Sequence, residues 1–207
     1  MLELTLTLSG DRPLVVKSDR GVNPLDPLAR ELAKFTGKRK KTEEDHEMIS
    51  RLEYELGLYW DEDLGPFIPT GNVHKALVEG ARQSKLGRTI EQGCFPLEVR
   101  VPILYDGPRT INGLFDSPDH VYKVSVGVGM KRTMRTRARF PKWALQVPFV
   151  LDPEKVDADT FAEIAAVTGR FIGIGERRPM FGAFTPHIEE AKEAKHNGHR
   201  SHAVSIH

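Results

Sequence analysis

A turn followed by an amphipathic helix offers the first residues in this chain that could do chemistry. The turn is Thr70-Gly71-Asn72, and from Val73 onward the apolar residues recur at the spacing of one helix face. Lys75 falls in the first turn of this predicted helix. Unpaired backbone N–H groups at a helix N-terminus, with a cation close by, suit a phosphate. A plain turn feeding a capped helix has the same pattern, so both interpretations stay open.

A glycine-rich segment farther along the chain carries a second set of candidate phosphate ligands. Gly173 and Gly175 precede Arg177 and Arg178, and Gly182 closes the segment. Glycine lets the backbone approach a ligand closely, and two arginines offer forked donors to a phosphate. The flanking sequence predicts a helix before the segment and a short strand on each side of the loop. A glycine-rich β-turn with two solvated arginines would show the same pattern.

The most basic part of the chain lies between the two segments. Residues 121–150 hold seven lysines and arginines and no acid, and the runs 121–128, 131–140 and 143–151 alternate with the period of a β-strand. One face of the middle strand carries Lys131, Arg135, Arg137 and Arg139, and Arg132 lies beside them. Such cations repel one another unless an anion lies across them, which indicates a track for a phosphate backbone. A solvated outer face of an antiparallel sheet is the alternative.

The order of the predicted elements indicates an α+β fold. Alternating leucines predict a first strand from Leu2 to Leu8, and a helical insertion follows at about 22–64, in which Thr42 caps a helix. The turn and helix, several strands, a helix at about 160–168 and a final strand pair complete the order. This is a β-α-β-β-α-β scheme with an insertion in its first crossover, the ferredoxin-like (RRM-like) plan. Its antiparallel sheet would leave one face free for a nucleic-acid strand.

Length and composition are those of a globular protein. The 207 residues are 39% apolar and 29% charged with a net charge of +1, which argues against a nonspecific polycation. Residues 1–188 are expected to form one domain, and 189–207 a polar, histidine-rich tail. No membrane span, signal peptide, metal site or cofactor motif is recognisable. One cysteine, Cys94, cannot form an internal disulfide, and a reducing cytoplasm is the expected compartment.

The turn-helix and the glycine-rich segment together resemble the RAMP superfamily, the RNA-binding proteins of CRISPR effector complexes. Residues 67–77 are similar to the family's Pro-aromatic-Ile-Pro-Gly-Ser-Ser-Leu-Lys-Gly turn and helix, and residues 173–182 to its C-terminal glycine-rich loop. Thr70 replaces the usual glycine, and Ala76 stands where a glycine is common. The resemblance covers about a third of the chain. It implies RNA binding and assembly along the strand, either as a homo-oligomer or with effector-complex subunits.

We therefore expect a protein that binds single-stranded nucleic acid, RNA in preference to DNA, and follows its phosphate backbone. The expected ligands of the nucleic acid are Thr70, Gly71, Asn72, Lys75, Lys131, Arg132, Arg135, Arg137, Arg139, Gly173, Gly175, Arg177 and Arg178. The expected lateral contact between neighbouring subunits is the insertion at 38–58.

Two other functions stay open. Some members of the RAMP superfamily cleave RNA without a metal ion, and His74 and His120 are the candidates here for general acid–base work. No recognisable catalytic motif surrounds either histidine. A protein-interaction module, such as a mimic of a CRISPR subunit or a phage assembly component, is the third possibility.

Overall fold

A computed structural model describes residues 1–129 and 131–190, with the side chains of Val128 and Lys131 outside the description. Most of the predicted histidine-rich tail, residues 191–207, also lies outside it. The described chain is α+β, as the sequence predicts. Its strands are β1 (Leu2–Gly10), β2 (Leu14–Val16), β3 (Trp60–Asp61), β4 (Gly65–Pro69), β5 (Cys94–Pro96), β6 (Arg100–Pro102), β7 (Val121–Val128), β8 (Lys131–Phe140), β9 (Ala144–Leu151) and β10 (Phe184–Glu190). Its α-helices are α1 (Pro27–Thr36), α2 (Glu43–Gly57), α3 (Thr70–Ala81), α4 (Gly87–Gly93), α5 (Ile111–Asp116) and α6 (Ala158–Val167).

The core forms between a four-stranded sheet and two helices. The strands run in the order β10-β1-β9-β5, and each neighbouring pair is antiparallel. Alternation along β1 places Leu4, Leu6 and Leu8 on one face, where each is at most 2% exposed. Helices α3 and α6 pack against each other and cover this face. The rings of Phe149 on β9 and Phe161 on α6 have centroids 5.6 Å apart.

The opposite face of the four-stranded sheet is not basic. Its strand residues are Glu3, Thr5, Thr7, Ser9, Phe95, Ala144, Gln146, Pro148, Val150, Thr185, His187 and Glu189. None of them is a lysine or an arginine. The basic strand is therefore not part of the sheet that contains the first strand. Strand β9 already has β1 and β5 on its two edges, so the basic strand β8 has no free edge there to pair with.

The basic strand belongs to a second sheet with the order β2-β8-β7. The alternation predicted for β8 is correct only in part: Thr136, Ala138 and Phe140 are buried on one face, but Met134 of the same face is exposed and Arg137 of the other face is buried. Strand β2 pairs only with the last residues of β8, and α2 packs beside the rest of that strand. Helix α2 begins with the predicted Thr42 cap, which forms a capping box with Asp45.

A third small sheet, β3-β4-β6, leads the chain into α3, because β4 ends at Pro69 and the helix starts at Thr70. The predicted final strand pair is wrong, since in the part of the chain that the structure describes a single strand, β10, follows α6. The first predicted strand of the pair is a π-helical turn at Thr168–Ile172. Gly173 closes this turn by donating its N–H to the Thr168 carbonyl at 2.8 Å. Within the described residues, no helix is both long and apolar enough to cross a membrane.

The close approach of α3 to the end of α6 gives a test of the packing. A Cβ atom added at Gly80 on α3 would overlap the Oγ1 atom of Thr168, which is buried and donates to the Ile164 carbonyl. We expect Gly80→Ala to lower the free energy of unfolding by about 1–3 kcal/mol through overpacking. Chemical denaturation measures this change.

The matched control is Gly71→Ala in the first turn of the same helix, where an added Cβ meets no atom within 4 Å. We expect this variant to leave the free energy of unfolding nearly unchanged. Equal losses for the two variants would contradict the described packing of α3 on Thr168.

Candidate nucleic-acid interface

Three cavities lie side by side on the molecule and share lining residues. The first, of 310 Å³, lies between the start of α3 and the glycine-rich segment. The second, of 520 Å³, shares Lys17 with the first. The third, of 850 Å³, lies between α1, α2 and the β7–β8 hairpin and shares Leu32, Glu53 and Arg135 with the second. We call these three cavities together the groove.

The lining of the groove is strongly basic. Eight cationic side chains line it, namely Lys17, Lys41, Lys75, Lys123, Arg132, Arg135, Arg137 and Arg178. Three carboxylates oppose them, namely Asp19, Glu53 and Glu176. The chain as a whole has a net charge of only +1, so the groove concentrates positive charge that the composition hides.

Only some of the predicted ligands at the start of α3 line the first cavity. Asn72 and Lys75 line the cavity, and Gly71 is exposed beside them. No side chain caps this end of α3, so the N–H groups of Gly71 and Asn72 remain available as donors. Thr70 has another role. It is buried, and its N–H and hydroxyl donate to the carbonyls of Val99 and Glu98, which anchors the helix start instead of binding a ligand.

The two lysines of the first cavity are its free cations. Lys75 projects from the first turn of α3, and Lys17 follows β2 immediately. Both side chains are exposed, and neither makes an ion pair or a hydrogen bond with the residues that the structure describes. A lysine without an internal partner keeps its full charge for a ligand, so these two are the strongest candidates for phosphate contacts.

The glycine-rich segment packs onto the chain around β2. The N–H of Glu176 donates to the Val15 carbonyl at 2.7 Å, and the N–H of Gly182 donates to the Pro13 carbonyl at 2.9 Å. Gly175 has a φ of +82°, and a Cβ there would lie 2.5 Å from the Val15 oxygen. This glycine is therefore required by packing against the strand. Gly175 still lines the first cavity, whereas Gly173 is buried and does not.

The two arginines of the glycine-rich segment take different positions. Arg178 lines the first cavity and pairs through Nη2 with the Glu79 carboxylate at 3.1 Å. Arg177 is exposed, has a φ of +64° and lines none of the three cavities. The structure therefore brings one of the two predicted loop cations to the groove.

The arginines of the basic strand have internal partners. Arg135 forms an ion pair with Glu53, which is 5% exposed and also accepts the Thr136 N–H at 3.1 Å. Arg137 pairs through Nε with Oε2 of Glu176 at 2.8 Å. These carboxylates relieve the repulsion that the sequence pattern attributes to a missing anion. Both arginines nevertheless line the groove.

The remaining cations of the basic strand differ in whether they line the groove. Arg139 donates through Nε to the Asp119 carbonyl at 2.8 Å and lies outside the groove lining. Arg132 donates to the Ser125 hydroxyl at 2.9 Å and lines the third cavity with Lys123. The side chain of Lys131 lies outside the described residues.

Sequence reasoning missed several residues of the groove. They are Lys17, Asp19, Glu53, Lys123 and Glu176. The short apolar run Leu14–Val16 directly before Lys17 was the available signal for β2. No local pattern signals Glu53 or Glu176, because each acts through an arginine that is distant in sequence.

Neither of the two candidate catalytic histidines lines the groove. The His120 ring packs between Tyr105 and Phe140, and its Nδ1 lies 3.0 Å from the Ser117 hydroxyl. Its Nε2 is buried and has no hydrogen-bond partner among the described residues. Burial lowers the pKa of His120 below its ordinary value. His74 on α3 is partly buried, and its Nε2 likewise has no partner within the described chain.

The lowered pKa of His120 predicts a loss of stability in mild acid. Unfolded imidazole titrates near 6.5, above the folded-state pKa, so the unfolded state takes up the proton first. Well above pH 6.5 the imidazole is neutral in both states, and His120 adds no pH dependence to the free energy of unfolding. As the pH falls below 6.5, the unfolded state binds the proton first, and the free energy of unfolding falls by at most about 1.4 kcal/mol per pH unit. Urea unfolding between pH 7.5 and 5.5 measures this slope.

His120→Gln should flatten the pH dependence, and His46→Gln, at an exposed position on α2, should leave it unchanged. The same slope in the wild-type chain and in His120→Gln would show that the buried imidazole is not its source.

No protein-family model matches this chain, and no curated protein is significantly similar to it.

Proposed function

We propose that this chain binds single-stranded nucleic acid in the groove, with RNA favoured over DNA, and that it follows the phosphate backbone. One observation carries the proposal. Asn72 and Lys75 at the start of α3, the glycine-rich segment and the basic strand are distant in sequence, yet all three line one groove rich in lysine and arginine. Proteins that bind single strands without base readout use a positive groove of this kind.

The first cavity is the best-equipped position for a phosphate. Lys17 and Lys75 approach it from two different elements and have no internal partners among the described residues. The N–H groups of Gly71 and Asn72 in the first turn of α3 add donors, and the helix dipole has its positive end there. Charge-assisted hydrogen bonds of this kind are about twice as strong as neutral ones.

Arg135 and Arg137, in the middle of the groove, serve mainly to orient a bound phosphate and add little net positive charge. A guanidinium has five N–H donors, and pairing with one carboxylate leaves several for a ligand. Arg135 and Arg137 are held by Glu53 and Glu176, so they would meet a phosphate in a fixed orientation. Their charge is partly compensated, and the salt dependence of binding should therefore come mainly from the lysines.

The fold supports a proposal about family as well. The strand order β10-β1-β9-β5, with α3 between β1 and β5 and α6 between β9 and β10, supports a ferredoxin-like plan for this sheet. The glycine-rich segment lies between the second of these helices and the last strand. We therefore propose a RAMP-type protein. Assembly with copies of itself or with effector-complex subunits, and residence in the cytoplasm, remain predictions from the sequence.

The proposal predicts salt-dependent binding that two lysines control. Fluorescence anisotropy with labelled oligo-uridine, at several salt concentrations, gives the slope of log affinity against log salt. Lys17→Glu/Lys75→Glu should weaken binding and reduce the magnitude of this slope by about 1.4, since each lost phosphate contact on a single strand contributes about 0.7.

Lys85→Glu/Arg88→Glu is the matched control, because it makes the same charge change at exposed cations outside the groove. This variant should keep the wild-type slope. Equal losses in both variants would indicate nonspecific attraction, and absence of binding by the wild-type chain at low salt would refute the proposal and favour a protein partner.

A further inference from the structure

We infer that Glu176 recognises the ribose 2′-hydroxyl and makes the groove selective for RNA. The inference rests on the proposed function and adds a residue that determines specificity. Its starting point is the composition of the first cavity. Glu176 is the sole carboxylate among the described residues that line this cavity, and Lys17, Lys75 and Arg178 are its cations.

The carboxylate is held firmly in place. Oε2 of Glu176 accepts a hydrogen bond from Nε of Arg137 at 2.8 Å, and the Arg137 side chain is only 10% exposed. The backbone N–H of Glu176 is bonded to the Val15 carbonyl at 2.7 Å. The side chain nevertheless remains 25% exposed, and Oε1 accepts no hydrogen bond from the described residues. One carboxylate oxygen is therefore engaged, and the other is free for a ligand.

The free oxygen can accept a hydrogen bond from a sugar but repels a phosphate. An ionised carboxylate is an acceptor only, so its natural partner on a nucleic-acid backbone is a hydroxyl donor. RNA carries this donor at every 2′ position, and DNA does not. Within one cavity, the two lysines suit the phosphate and Glu176 suits the neighbouring ribose. Phosphate and sugar alternate along a strand, so one cavity that carries both kinds of group suits a nucleotide backbone.

The same oxygen disfavours DNA. A deoxyribose placed in the cavity would remove water from Oε1 without returning a hydrogen bond, and an unpaired charged group is costly to desolvate. A hydrogen bond to a charged group corresponds to a preference of about tenfold or more in affinity. One residue can therefore account for a measurable preference for RNA.

The first test uses the wild-type chain and changes only the sugar. Anisotropy titrations compare oligo-uridine with the 2′-deoxy and 2′-fluoro oligomers of the same base sequence. The 2′-fluoro sugar has no O–H donor, and an identical base sequence removes any contribution from the amino groups of bases. RNA should bind about tenfold more tightly than either of the other two oligomers. Equal affinity of RNA and 2′-fluoro RNA would overturn the inference.

The second test changes the carboxylate. Glu176→Ala should reduce the ratio of RNA to DNA affinity to near one, and Glu176→Gln, whose amide oxygen is a neutral and weaker acceptor, should reduce the ratio by less. Glu79→Gln is the matched control, because it breaks the other carboxylate–arginine pair of the glycine-rich segment, and Glu79 does not line the cavity. This control should keep the wild-type ratio. Retention of the ratio in both Glu176 variants would contradict a role for Glu176 beyond holding Arg137.

The two proposals fail in different ways. Binding of RNA and DNA with equal affinity would overturn the role of Glu176 and leave the nucleic-acid site standing. No binding of any oligomer by the wild-type chain would overturn the proposed function and this inference together. Thermal unfolding of each variant identifies misfolding. If a variant misfolds, the comparison of oligo-uridine with its 2′-deoxy and 2′-fluoro forms on the wild-type chain tests the inference by itself.

Discussion

The ion pair between Arg137 and Glu176 joins the two parts of the molecule on which the groove depends. Arg137 belongs to the second sheet, and Glu176 lies on the segment between α6 and β10 of the main sheet. Both side chains are mostly buried, and a buried charge that loses its partner costs several kcal/mol. The second sheet and the glycine-rich segment are thus fixed relative to each other, and the first and second cavities meet where this pair lies.

Backbone contacts around β2 reinforce this connection. The hydrogen bonds of Glu176 and Gly182 to the chain at 13–15 hold the segment against β2, whose last residue immediately precedes Lys17. Strand β2 in turn pairs with the end of β8. The short strand therefore couples one free lysine to both walls of the groove, although it has only three residues.

Local sequence patterns predicted most of the elements but not their arrangement. The alternation in residues 121–151 gave strands close to β7, β8 and β9, and Thr42 marked the start of α2. The assignment of β8 to a separate sheet depends on which strand edges are already occupied, and no local pattern contains this information. The π-helical turn after α6 was missed because Phe171 and Ile172 have strand-like composition, whereas Gly173 closes a turn with Thr168.

The candidate site was predictable in its location and not in its electrostatics. The sequence pointed to the three segments that line the groove, and Asn72, Lys75, Arg132, Arg135, Arg137, Gly175 and Arg178 are among its lining residues. The sequence pattern also implies that Arg135 and Arg137 have no internal partners. Their partners lie 82 and 39 residues away in the sequence, so only the folded chain reveals them.

The measurement that tests the groove most directly is hydrogen–deuterium exchange of the full chain with and without bound oligo-uridine. If the nucleic acid follows the groove, amide protection will appear together at 71–75, 173–178 and 132–137, and the open face of the four-stranded sheet will be unchanged. Protection confined to that open face, or no change at any segment under conditions of saturating ligand, would contradict the account.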